Sequence, residues 1–72
     1  MGEPMNRITI ADRMKEYRQN HNVTQKDFAK LIGISPQAIS KWEREQGYPD
    51  ISLLPVLANL LRCSVNDFFE VE

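Results

Sequence analysis

Along residues 9–70 the apolar positions recur three or four residues apart, and no run alternates apolar and polar residues over the length of a strand. Ile10, Met14 and Tyr17 form one stripe, Phe28, Leu31 and Ile32 a second, and Ile39 and Trp42 a third; the stretch ISLLPVLANLLR (51–62) is strongly apolar. Such spacing puts side chains on one face of a helix, so the pattern predicts an all-α domain. Helix starts are marked chemically. Thr9 with Asp12, Thr24 with Asp27, and Ser64 with Asp67 have the form Ser/Thr-x-x-Asp, whose hydroxyl and carboxylate satisfy amides left unpaired at a helix N-terminus. Ser35 before Pro36 is a fourth start, because proline at the first helical position forfeits no hydrogen bond. Val23 with Phe28, Ile34 with Ile39, and Cys63 with Phe68 are spaced as hydrophobic staples. These signals predict helices over 10–20, 25–32, 36–46, within 51–62, and over 65–70. Gly33 ends the second helix and Gly47 the third. Pro55 leaves the start of the fourth open between Asp50 and Ser52. Residues 1–7 lack periodicity and are expected to be a flexible lead-in to a single domain over 8–70.

Length and composition change this picture little. A chain of 72 residues builds one small core, and no apolar run approaches the 18 or so residues that a membrane span needs. One cysteine forms no internal disulfide, and the N-terminus has no apolar signal-peptide core, so a cytoplasmic protein is expected. Charge matters more. The formal net charge is −1, but residues 7–46 carry eight Lys/Arg against five Asp/Glu, whereas in 47–72 Arg62 stands against Asp50, Asp67, Glu70 and Glu72. The basic half is suited to an anionic partner.

The third helix has the most informative polar face. Gln37, Ser40, Lys41 and Arg44 fall together on a helical wheel, opposite Ile39 and Trp42. Amide, hydroxyl, ammonium and guanidinium groups suit base edges and phosphates. Glu43 falls beside the apolar face, and a carboxylate there requires a partner. A helix, a short glycine turn and a second capped helix make a helix-turn-helix.

Residues 8–70 resemble the Cro/repressor-type (XRE) helix-turn-helix family. The resemblance rests on Gln25 opening the first motif helix, small Ala29 at its fifth position, Gly33 at its ninth, and apolar Phe28, Ile32, Ile39 and Trp42 at the core positions. ISKWERE, YPDISLL and LANLLRCSVNDFF extend it. It implies a five-helix, lambda-repressor-like DNA-binding domain with the recognition helix, 36–46, in the major groove of double-stranded DNA. It also implies an Arg18–Glu43 ion pair and a sugar-phosphate clamp at Gln25, assisted by Thr24. Pro36 departs from the family, which often has a polar side chain there.

On this reading Gln37 pairs with adenine, Lys41 donates to guanine, Ser40 lets the backbone approach, and Arg44 meets a phosphate. Arg18, Glu43, Ala29, Gly33, Ile39 and Trp42 are structural. A transcriptional regulator, a repressor in the first instance and of bacterial or phage type, is expected, acting as a homodimer on half-sites one helical turn apart. Phe68 and Phe69 are candidates for burial within or between monomers. Cys63 reads as a staple residue and His21 as a helix-end residue. One histidine and one cysteine at their spacing build no metal site, and no nucleophile has a base, so neither an enzyme nor a cofactor or small-molecule site is expected. The alternative is a protein-interaction or antitoxin-like module that keeps the fold with weak or no DNA binding.

Overall fold

The computed structural model describes residues 6–71. In chain order these form β1 (Asn6–Ile8), α1 (Ile10–His21), α2 (Gln25–Ile32), α3 (Pro36–Glu43), α4 (Leu54–Leu60) and β2 (Phe69–Val71). Short 3₁₀-helices, Ile51–Leu53 and Val65–Phe68, lead into α4 and β2. Ile10 and Met14 from α1, Phe28 and Ala29 from α2, Ile39 and Trp42 from α3, Leu57 and Ala58 from α4, and Phe68 make the buried core. Burying each of the larger of these side chains contributes about 1.5–3 kcal/mol. Val23, Ile34 and Cys63, the apolar residues ahead of three helix starts, pack against that core.

The starts of α2 and α3 follow their caps: Asp27 N–H donates to Thr24 Oγ1 and Ala38 N–H to Ser35 Oγ. At the last start the Ser64 N–H donates to the Asp67 carboxylate. Thr9 differs from expectation. Its hydroxyl makes no cap and instead donates to the Asp67 carbonyl, while its N–H donates to the Phe68 carbonyl. Docking of the 65–68 segment buries Thr9 and offers it those acceptors. Asp50 caps the 3₁₀-helix through the Ser52 N–H, and Pro55 lies in the first turn of α4, where a missing N–H leaves nothing unpaired.

Four further expectations are corrected. The third helix ends at Glu43, not 46, because Glu45 turns left-handed and Gln46 N–H closes back on the Lys41 carbonyl. The fifth is a 3₁₀-helix that stops at Phe68, since Phe69–Val71 pairs antiparallel with Asn6–Ile8, Ile8 opposite Phe69. Asn6 and Arg7 thus belong to the folded unit, while the rest of the expected lead-in lies outside the described residues. Leu31 is 57% exposed. The inward face of α2 is centred between Phe28, Ala29 and Ile32, and Leu31 sits roughly a quarter turn away from it.

Candidate nucleic-acid interface

α2, a turn of Gly33-Ile34-Ser35, and α3 form the helix-turn-helix. Gly33 is left-handed at φ 73°, and its N–H and that of Ile34 both return to the Ala29 carbonyl. The chain therefore reverses without a residue to spare. Ser35 and Pro36 then restart the helix, with Ile39 fully buried and Trp42 almost so.

The orientation of α3 is held by an ion pair. Arg18 Nε donates to Glu43 Oε2 and Nη2 to Oε1, both at 2.6 Å, in a bidentate arrangement. Arg18 Nη1 also donates to the Val23 carbonyl at 3.1 Å, which ties the α1–α2 junction to the same group. The Glu43 side chain is 4% exposed and that of Arg18 20%, so the pair is largely removed from water. Hydrogen bonding to Glu43 pushes the Arg18 pKa above its usual value, against the opposing effect of burial.

Glu43 Oε1 takes a third hydrogen bond, from Gln25 Nε2 at 3.1 Å. The residue expected to clamp the DNA backbone is thus held by α3, leaving its amide oxygen and second amide hydrogen beyond that bond. The one sequence signal for this contact is that a bidentate arginine leaves carboxylate lone pairs to fill.

On the opposite face, Gln37, Lys41 and Arg44 are exposed and Ser40 is half-buried, so the four expected contact residues share one accessible side. Arg44 stands at the C-cap, where its Nε donates to the Ser40 carbonyl at 3.2 Å. Thr24 is exposed next to half-buried Gln25; its hydroxyl oxygen accepts in the cap, and a hydroxyl keeps the capacity to donate to a further acceptor. The face carries two cations and three neutral hydrogen-bonding groups that both donate and accept.

Elsewhere, burial pushes the Cys63 thiol up, the opposite of what a reactive thiolate needs. His21 lies 4.3 Å from the Tyr17 ring, centroid to centroid, near the end of α1. Among the described residues no group of three metal-ligating side chains comes together, and no helix is long and apolar enough to cross a membrane.

A helix-turn-helix family profile matches residues 14–68 of the chain. The HTH-type transcriptional regulator DicA of Escherichia coli K12 is 37% identical over 57 residues, 79% of this chain and 42% of DicA. An uncharacterised HTH-type transcriptional regulator of Methanocaldococcus jannaschii is 34% identical over 63 residues, 88% of this chain and 96% of that protein. Among solved structures, the P22 c2 repressor in complex with a synthetic operator superposes with a TM-score of 0.73 at 30% identity, covering 82% of this chain and 89% of the other. The chain spans less than half the length of DicA.

Proposed function

The chain belongs to this helix-turn-helix family, and from that premise we propose that it binds double-stranded DNA sequence-specifically as a transcriptional regulator. The observation that carries the reading is the exposed Gln37–Ser40–Lys41–Arg44 face on a short helix whose angle is set by a buried ion pair. An α-helix fits the major groove, about 12 Å wide, where each base pair offers its own pattern of donors and acceptors. Gln37, one residue past Pro36, enters first and pairs bidentately with adenine; Lys41, one turn on, donates to guanine. Ser40 keeps the backbone close. Arg44 meets a phosphate, and Thr24 and the outer half of the Gln25 amide clamp the sugar-phosphate backbone at the start of α2, where its unpaired N–H groups favour an anion.

One α3 reaches few base pairs, so we assign the working form to two copies on half-sites about 34 Å apart, acting as a repressor in a prokaryotic cytoplasm. Its similarity to DicA and to the operator-bound P22 c2 repressor supports this finer reading. Selection from a random double-stranded DNA library at about 0.1 M salt tests it, because enough non-specific phosphate binding is screened there for base contacts to show. A two-fold symmetric site is expected. Gln37→Ala should then cost about 1–3 kcal/mol on the best site and relax preference at one base pair per half-site. Enrichment of no sequence, or an unchanged preference in the variant, rejects α3 as the reader.

A further inference from the structure

Trp42 packs in the core with 9% of its surface exposed, and the ion pair, the helix caps and the reading face all leave its indole N–H unused. That N–H makes no hydrogen bond within the described residues. No buried side-chain nitrogen or oxygen among them lacks a partner, so the indole nitrogen lies at the surface and is not sealed inside. Its surroundings are defined. A Cβ built on Gly47 would stand 4.0 Å from Trp42 Cδ1, the carbon bonded to that nitrogen, and Gly47 itself brings no side chain to cover the edge. The polar edge of the ring therefore opens beside the turn that follows α3.

An indole N–H donates and cannot accept, and in a ring this deeply packed it usually finds a partner. Here the chain supplies none. Trp42 follows Lys41 and stands about 100° around the helix from it. With Gln37 and Lys41 directed at the floor of the major groove, a displacement of roughly a quarter turn faces a wall of the groove. That wall is sugar-phosphate backbone, which offers acceptors. Arg44 brings charge to the same end of the helix, its Nε held by the Ser40 carbonyl and its other guanidinium N–H groups left over.

We infer that Trp42 Nε1–H donates to a phosphate oxygen bordering the major groove at the C-terminal end of α3, an inference that rests on the DNA-binding reading. This contact differs in kind from those of Lys41 and Arg44. Their side chains are exposed and long, and their charge acts before contact. The indole is held by the core, so the direction of its N–H is set before DNA arrives and little side-chain freedom is lost on binding. Phosphate contacts fix register and orientation on the duplex. Together with the clamp at Thr24 and Gln25, a rigid donor at the far end of α3 holds the motif at two points and sets the depth at which Gln37 meets a base.

The experiment changes the indole nitrogen alone. Trp42→Phe would also open a cavity in the core, so the full chain is assembled by peptide synthesis with benzothienylalanine at position 42, which keeps the bicyclic shape and carries sulfur in place of the N–H. Urea unfolding verifies the core. At about 0.1 M salt the isostere should lose about tenfold in affinity per half-site of the selected operator, and alike on every sequence, as for a hydrogen bond to a charged group. Its salt slope should stay that of the parent, because a neutral donor releases no counterion. Replacing backbone phosphates one at a time by neutral methylphosphonate should reveal a position that costs the parent affinity and the isostere none. The parent has one tryptophan, so a heteronuclear NMR spectrum holds one indole N–H signal, which should move downfield on the operator. An isostere that binds as the parent does, or an indole signal that the operator leaves in place, overturns the contact while leaving DNA recognition standing. A loss confined to one base pair overturns phosphate as the acceptor. A parent that selects no operator overturns the DNA-binding reading and this inference with it.

Discussion

At the scale of single residues, the decisive group is Glu43. Its position beside an apolar face is legible in the sequence as a demand for a partner, and Arg18 meets it with two short hydrogen bonds. The additional bond from Gln25 is not legible on a helical wheel, which describes one helix, whereas this contact joins the start of α2 to the end of α3. Removing either charge leaves the other buried. Arg18→Ala or Glu43→Ala should each cost about 3–5 kcal/mol in urea unfolding, whereas the double variant Arg18→Met/Glu43→Leu should recover much of that, since apolar groups of similar volume carry no desolvation penalty. Additive losses in the cycle would mean that the pair is not coupled as its geometry requires. Gly33 offers a cleaner backbone test. A Cβ built there meets nothing within 4 Å, so Gly33→Ala is penalised only through φ 73°, by about 1–2 kcal/mol, and Gly33→Asn, which tolerates that region, by less.

At the scale of elements, helix starts are written in the sequence and helix ends are not. Ser/Thr caps depend on side-chain chemistry, and three of the four expected caps hold an N–H as expected; Thr9 is drawn away by a tertiary acceptor 58 residues distant. Helix ends depend on one left-handed backbone residue followed by a bond back across the last turn. Asn22, Gly33, Glu45 and Arg62 all take positive φ, and Val23, Ile34, Gln46 and Cys63 close back on the carbonyls of Arg18, Ala29, Lys41 and Ala58. Glycine signals one of these four ends. Glu45 is a poor left-handed residue, which is why a helix running to Gly47 is the natural reading and the true end comes earlier. Glu45→Gly should accordingly raise stability, by about 0.5–1 kcal/mol, the steric relief exceeding the added chain entropy. A lower melting temperature would show that Glu45 contributes a contact outweighing its strain. The ribbon escapes the sequence for another reason: three-residue strands carry no periodic signal, and these pair across nearly the whole chain. The caps also predict the response to acid. Hydrogen bonds from Ser52 and Ser64 hold the Asp50 and Asp67 carboxyls below the ordinary value of 3.8, so each contributes stability that is present above that value and lost as pH falls through the lowered one. The melting temperature should drop below about pH 4, and less steeply in the Asp50→Ala/Asp67→Ala variant. Equal slopes in parent and variant would move the acid sensitivity to other carboxylates.

At the scale of the whole molecule, opposite charge at the two ends of the sequence raises the question of how far an acidic half weakens a DNA-binding half. Exposed charges more than about 10 Å apart are largely screened at 0.1 M salt, so phosphates at α3 respond chiefly to the charges nearest them. Net charge is then a poor guide to function, and the cations brought against the duplex, whether at base edges or at phosphates, govern the salt dependence. Lys41 and Arg44 are the two on the α3 face, and two copies bring four. Counterion release predicts a slope of log affinity against log salt near −4 for a two-half-site operator, and about one unit less per copy for Arg44→Ala, with affinity falling alike on every sequence. A slope beyond about −6 would bring the exposed Lys26 and Lys30 of α2 into contact with the backbone and widen the interface from one helix to two. A loss confined to one base pair would instead make Arg44 a reader of bases, lengthening the recognition surface past the end of α3 to the residue at its C-cap.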